Sequence, residues 1–165
     1  MKIRILALAC LVTTNLFAAG FLPIANVTKV KGKATINKEQ IKSGSEIVAG
    51  VEISIPKKND SVEIKFQNGH IVRLTGAEVK VGEFTPKTAQ LELSKGKIST
   101  MLTLTPDETF VIKTAHGEFN FHNGKSSLAT TAKATRLEVR AGSVTVKNAA
   151  GEKEVTKGQK INFKN

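Results

Sequence analysis

Apolar and polar residues alternate with a period of two through much of Ser61–Val81. The alternation predicts strands with one buried and one solvent-facing side, with Phe66 and Val72 both facing the core. Both can do so only if the loop between the two strands holds an odd number of residues. The pattern therefore predicts a three-residue hairpin loop with a bulge, formed by Asn68-Gly69-His70, and it places His70 in solvent.

The same alternation recurs along the rest of the chain, interrupted by turn signals roughly every eight to twelve residues. Predicted turns lie at Pro106-Asp107, His116-Gly117 and Asn123-Gly124, and the segment around Pro86 is predicted to be a loop or an edge strand. No helical periodicity is evident after residue 20. We therefore expect an all-β, roll-like sandwich or β-solenoid-like domain of about 12–14 short, mostly antiparallel strands.

Three glycines recur in similar surroundings. Gly32, Gly96 and Gly142 each stand between the end of one apolar run and the start of a new alternating run. Glycine at such a point permits a tight corner, so we expect each to end one strand and begin another. The spacing is too uneven for a regular repeat array.

The first twenty residues are organised like a signal peptide. Lys2 and Arg4 precede the apolar run Ile5–Phe17, which is too short for a transmembrane helix, and Ala18-Ala19-Gly20 supplies small residues for cleavage. We expect cleavage before Phe21, a periplasmic location and no transmembrane segment in the mature chain. The expected organisation is a signal peptide over residues 1–20 and one domain over residues 21–165.

Cys10 is the only cysteine of the chain. Lipid attachment at Cys10 is the alternative to cleavage before Phe21, but Ala7-Leu8-Ala9 makes a poor lipobox. Cleavage would remove Cys10, so the mature chain would contain neither a disulfide nor a reactive thiol.

The formal net charge of +11 becomes +9 without Lys2 and Arg4, and this excess favours anionic partners. Export argues against nucleic acid, and the absence of Trp and Tyr removes the usual stacking residues. The expected partners are a periplasmic or outer-membrane protein, or an anionic envelope glycan. Alternatively, lysines on the solvent-facing sides of strands only keep the protein soluble and protect sheet edges.

His116, Glu118 and His122 are the residues that could be tested as metal ligands. Even separations along one strand would place them on one face. Gly117 and a spread of about 20 Å make joint ligation of one ion difficult. We interpret the three as polar residues opposite the buried face of the strand and predict no metal and no cofactor.

No catalytic group is evident either. No serine lies in a Gly-x-Ser-x-Gly elbow, and no glycine cluster precedes a helix. Glu63 and Glu78 alternate with core residues, so they are interpreted as solvent-facing charges and not as a tuned acid pair. We expect a non-enzymatic protein; a small hydrolase is the alternative and would require a deep polar pocket.

Seven stretches follow one another in an order typical of one family. They are Val30–Ile36, Ile41–Ile47, Ser61–Leu74, Leu91–Ile98, Phe110–Thr114, Val139–Val146 and Gly158-Gln159. Together they resemble the FecR periplasmic domain over nearly all of residues 21–165. The family's G-T-x-F motif is absent, and Gly117-Glu118-Phe119 or the Phe121–Lys125 region stands in its place.

The resemblance implies an all-β binding domain. Family members that regulate sigma factors carry a cytoplasmic segment and a membrane helix before this domain, and a receptor-contacting module after it. Because the sequence shows neither, sigma-factor regulation does not carry over. We expect a stand-alone FecR domain that acts as a protein- or glycan-binding accessory or signalling module, or alternatively as a basic binder of peptidoglycan or lipopolysaccharide.

Overall fold

The computed structural model describes residues 22–164, which form thirteen β-strands and no helix. The predicted signal peptide and its cleavage site lie outside these residues. The strands are β1 Ala25–Lys31, β2 Thr35–Ile36, β3 Glu39–Gln40, β4 Glu46–Ile47, β5 Glu52–Ser54, β6 Ser61–Phe66, β7 Ile71–Phe84, β8 Thr88–Leu102, β9 Thr109–Thr114, β10 Gly117–Thr130, β11 Thr135–Asn148, β12 Gly151–Thr156 and β13 Lys160–Phe163. No helical segment of sufficient length and hydrophobicity to traverse a bilayer occurs in this part of the chain.

The strand count and the pairing confirm the predicted all-β class. All pairs are antiparallel except β8 with β9, which runs parallel. The strands form two layers, which we call wing 1 and wing 2, with a shared core between them. Four strands of 14 or 15 residues, β7, β8, β10 and β11, belong to both wings.

Wing 1 has the order β4-β1-β6-β7-β8-β10-β11-β13 and uses residues 71–75, 96–102, 124–130 and 135–142 of the long strands. Wing 2 has the order β3-β2-β5-β7-β8-β9-β10-β11-β12 and uses residues 78–84, 88–95, 117–121 and 143–148. The short strand β9 thus separates β8 from β10 in wing 2 but not in wing 1.

The long strands cross between the wings at two opposite ends of the sandwich. Within wing 1, Gly96 of β8 pairs with Thr130, whereas Leu102 of β8 pairs with Gly124. The segment of β8 in wing 1 thus has a crossing at each end. β7 and β8 cross near Gly96, and β10 and β11 cross near Leu102. This arrangement matches the expected roll-like sandwich, in which strands change layer at bends.

A glycine marks each crossing and shifts the pattern of buried residues by one. In β7 the buried positions are even before Gly76, as at Val72, and odd after it, as at Val79. The strands β8, β10 and β11 change parity in the same way, around Gly96, Gly124 and Gly142. Because side chains alternate strictly along a regular strand, this one-residue shift accompanies the change of layer and keeps apolar residues in the core on both sides.

Phenylalanine contacts join the two wings through the core. Phe66 of wing 1 stacks on Phe84 of wing 2, with ring centroids 5.7 Å apart, and meets Phe110 edge to face at 5.9 Å. Phe119 of wing 2 meets Phe163 of wing 1 at 5.4 Å. Such offset and edge-on geometries add to the stabilisation from burial alone.

The hairpin between β6 and β7 confirms the odd loop length but shifts the loop by one residue. The Phe66 amide donates to the His70 carbonyl at 2.9 Å, so the three loop residues are Gln67, Asn68 and Gly69. Gly69 has a φ of +87°, as the closing bulge of such a loop requires. The prediction that His70 lies in solvent was wrong, because its side chain is 1% exposed.

Two predictions about glycine positions were also wrong. Asn123-Gly124 does not form a hairpin but lies inside β10, and Gly96 and Gly142 lie inside β8 and β11. At these positions the chain bends without ending the strand, because pairing resumes in the other wing. Gly32 does follow the end of β1, as expected.

Candidate functional site

The outer surface of wing 1 carries an excess of positive charge. We call this surface the basic face and define it by its outward charged residues. Its cations are Lys29, Lys31, Lys65, Arg73, Lys97, Lys125, Arg136, Arg140 and Lys160, and its acids are Glu46, Glu63 and Glu138. All three arginines that follow residue 20 lie here. The basic face therefore holds most of the net charge of the domain.

Glu63 and Glu138 each hold two of these cations. Glu63 Oε2 accepts from Arg73 Nη2 at 2.8 Å, and Lys29 Nζ lies 3.8 Å from Glu63 Oε1. The hydrogen bond from Arg73 holds the pKa of Glu63 below its usual value, against the opposing effect of partial burial.

At the other side of the face, Glu138 Oε1 lies 3.3 Å from Arg140 Nε and 3.5 Å from Lys160 Nζ. Partial burial opposes ionisation of Glu138, but these two cations hold its pKa below the usual value. The cations of the basic face that make no ion pair within residues 22–164 are Lys31, Lys65, Lys97, Lys125 and Arg136.

The centre of the basic face is a patch of small residues, which we call the serine patch: Ser99, Ser127 and Ala129. Ser99 pairs directly with Ser127, and Ala129 follows two residues after Ser127 on β10. Ser127 is only 8% exposed although it points outward, so longer side chains around it stand higher than the patch. The patch is therefore a shallow recess.

The recess is bordered by four cations and one acid. Arg73 is the cross-strand neighbour of Ser99, and both Lys97 and Arg136 are cross-strand neighbours of Ala129. Lys125 lies two residues before Ser127 on the same side of β10. Glu138, the direct cross-strand neighbour of Ser127, and Met101, 44% exposed, complete the border. This arrangement can hold an anionic group against serine hydroxyls between Arg and Lys side chains.

The outer surface of wing 2 is organised in the opposite way. Here a row of direct cross-strand neighbours runs across seven strands, and its members alternate between acidic and basic side chains. We call this row the charge ladder. Its members in order are Glu52, Lys80, Glu92, Lys113, Glu118, Lys147 and Glu152. Opposite charges on neighbouring strands attract each other, so this surface is compensated internally and offers no comparable field.

An open surface groove of about 750 Å³ touches the charge ladder. Its charged lining residues are Lys38, Glu52, Glu78, Lys80 and Glu92. Glu78 is half-exposed and lies 2.6 Å from Lys95, which agrees with its interpretation as a solvent-facing charge. The groove is not the deep polar pocket that a small hydrolase would need.

The structure does not bring the tested histidines together. His116 is 5% exposed, and its Nδ1 lies 2.9 Å from the Thr135 hydroxyl, so its interpretation as a solvent-facing residue was wrong. Glu118 lies on the charge ladder, and His122 is exposed with Nε2 3.0 Å from the Thr145 hydroxyl. Within residues 22–164 no group of three His, Cys, Asp or Glu side chains is arranged to hold a metal ion.

His70 is a second buried histidine, which the sequence did not indicate. Its ring meets Phe110 edge to face with centroids 6.3 Å apart, and its Nε2 lies 4.0 Å from Glu108 Oε2. Its Nδ1 has no hydrogen-bond partner within the described chain. Burial lowers the pKa of His70, although the nearby Glu108 charge opposes this shift.

The sequence predicted a positively charged domain but not that its cations share one outer surface. The lysines and arginines were visible, but their common side depends on which half of each long strand lies in which wing. One signal was available in the sequence. Arg136 and Arg140 are separated by an even number of residues and Val139 by an odd number from each, so both arginines lie on the side of β11 opposite the apolar Val139.

A family model described as FecR protein matches residues 52–145 of the chain. A solved structure of a candidate anti-sigma factor from Parabacteroides distasonis is similar with a TM-score of 0.62 and 18% identity, over 69% of this chain and 55% of that one. A second such structure from the same organism has a TM-score of 0.47 and 15% identity, over 80% of this chain and 55% of that one. The chain thus spans about half the length of both proteins. No curated protein sequence matches.

Proposed function

The chain belongs to the FecR family, and from this membership we propose that it is an exported, non-enzymatic binding module of the periplasm. Its role would be that of an accessory or signalling component that holds a protein or a glycan of the cell envelope. The fold of the domain and its likeness to a candidate anti-sigma factor are consistent with signalling.

The observation that carries the proposal is the separation of charge between the two outer surfaces. Nine cations and three acids share the basic face, whereas the charge ladder alternates acids and lysines. A protein that needed lysines only for solubility would not require all three of the arginines after residue 20 on one side. A one-sided field attracts and orients an anionic partner.

Photo-crosslinking in intact cells tests the proposal. A photoreactive residue at Ser99 reports on the basic face, and one at Thr145 is the matched control on the ladder side. We expect capture of an envelope component at Ser99 but not at Thr145. The same preparation should yield a mature N-terminus at Phe21, and an intact Met1, a lipid on Cys10 or equal capture at both positions would contradict the proposal.

A further inference from the structure

We propose that the basic face docks on the phosphorylated saccharides of lipopolysaccharide, with a phosphate group seated in the serine patch. The inference rests on the proposed export of the chain, because export brings the domain into contact with the envelope. It goes further by naming the surface, the recognised group and the class of ligand.

The size of the face indicates a ligand with several charges. The cations extend from Lys29 on β1 to Lys160 on β13, across seven strands of wing 1. Neighbouring strands lie about 4.8 Å apart, so the cations cover roughly 30 Å. A single small anion would use only a fraction of this surface, whereas an array of anionic groups would engage all of it.

The side chains of the face favour an anion over a protein or an uncharged sugar. No aromatic residue points outward here, and Met101 is the only large apolar side chain of the described chain exposed on this surface. Protein interfaces usually depend on buried aromatic anchors, and sugar rings on aromatic platforms. Insertion into a phospholipid bilayer likewise needs apolar anchors. The charges themselves are thus the recognised feature.

The border of the serine patch favours phosphate over carboxylate. Four cations border the two serines, and the one acid beside them, Glu138, is held by Arg140 and Lys160. Guanidinium groups, such as those of Arg73 and Arg136, bind phosphate through paired hydrogen bonds. The oxygens of one phosphate could accept from the serine hydroxyls as well. Phosphates clustered on a saccharide backbone supply this charge density, which the spaced carboxylates of peptidoglycan do not.

The test compares two triple variants that lose the same net charge. The first variant combines Lys97→Gln, Lys125→Gln and Arg136→Gln. It removes the three cations bordering the serine patch that make no ion pair within residues 22–164. The control, Lys80→Gln with Lys113→Gln and Lys147→Gln, removes three cations of the charge ladder. Binding of the mature protein to purified lipopolysaccharide is measured for each, together with circular dichroism to confirm folding.

We expect the first variant to bind on the order of 100-fold more weakly than the wild type, and the control to remain within about threefold. Wild-type affinity should fall steeply between about 0.05 and 0.3 M salt, and it should be lost when the lipopolysaccharide is dephosphorylated. Equal weakening of both variants would overturn the inference, because it would show a response to net charge alone.

Three other results would also overturn it: no binding by the wild type, unchanged binding to dephosphorylated lipopolysaccharide, or equal binding to phosphatidylglycerol vesicles or to peptidoglycan. Should the Ser99 crosslinker nevertheless capture a protein in the periplasm, the proposed function would stand and only the lipopolysaccharide docking would fail. A cytoplasmic chain with intact Met1 would instead remove the proposed function itself.

Discussion

Gly142 and Gly124 are direct cross-strand partners at the point where β11 and β10 pass from one wing to the other. Gly142 has a φ of +78°, and a Cβ atom added to it would overlap the carbonyl oxygen of Asn123. A side chain at residue 142 therefore meets both an unfavourable backbone conformation and a backbone atom that cannot move aside.

The first prediction follows from this overlap. Gly142→Val should destabilise the domain by more than about 2 kcal/mol, because backbone strain adds to the clash with Asn123. The matched control is Gly151→Val, since Gly151 also has a positive φ, +117°, but has no atom within 4 Å of an added Cβ. That variant should cost about 1 kcal/mol. Urea melts of both proteins decide the matter, and equal losses would show that crowding at the crossing is unimportant.

The second prediction concerns the core contact between the wings. Phe66 is 3% exposed and touches Phe84 and Phe110 of wing 2, so Phe66→Ala should cost about 3–5 kcal/mol. The neighbouring Lys65 points outward, and Lys65→Ala should stay within about 0.5 kcal/mol. Chemical denaturation measures both values, and similar midpoints for the two variants would contradict the assigned facing.

The third prediction is a pH dependence that arises from His70. Because burial lowers the pKa of His70 in the folded state, the unfolded chain binds a proton first as the pH falls below the ordinary value of 6.5. The stability contributed by neutral His70 is thus complete above that pH and declines below it.

His70→Leu should remove this decline. The free energy of unfolding, measured at about pH 7.5 and about pH 5.5, should fall less for the variant than for the wild type. Below the ordinary glutamate pKa of 4.5, protonation of Glu63 and Glu138, whose pKa values are lowered in the folded state, should further destabilise both proteins. An identical decline between the two upper pH values would contradict the role assigned to His70.

The fourth prediction is a stabilising substitution in the β2–β3 hairpin. Asn37 and Lys38 have φ values of +48° and +74°, the pair of left-handed residues that a two-residue hairpin turn requires. Lysine is strained there, so Lys38→Gly should stabilise the domain by about 0.5–1 kcal/mol. Lys133→Gly is the control, because Lys133 is exposed in a turn and does not have a positive φ. The Lys133→Gly variant should be less stable than the wild type, since glycine only adds freedom to the unfolded chain there. Thermal melts that rank the two variants in the reverse order would refute the assignment.

Alternation along the strands was enough to predict the fold class, the strand number and the buried side of β6. The odd loop length also followed from it, since Phe66 and Val72 must share a face. The FecR resemblance agreed with these features because it rests on the same apolar and glycine positions.

The positions of the crossings could not be predicted in the same way. Asn123-Gly124 has the composition of a hairpin turn, yet its neighbours find partners on both sides and the strand continues. Local propensity cannot distinguish a chain that turns back from one that bends into a second layer. The burial of His70 was missed for a related reason, because the polar hairpin residues before it suggested solvent.

The basic face escaped prediction because it is a property of register. Arg73, Lys97 and Arg136 come from three different strands and become neighbours of the same small patch only through cross-strand pairing. A sequence gives the side of each strand on which a charge lies, but not the neighbour that the charge will meet.

The two crossings at opposite ends of the sandwich have a mechanical consequence. Strands that run through both layers connect the wings at two opposite ends. One layer therefore cannot separate from the other without breaking hydrogen bonds in both. Slow amide hydrogen exchange should therefore report a single cooperative opening that includes both layers. A ligand held on one outer surface would then protect amides in the opposite layer, which it never touches.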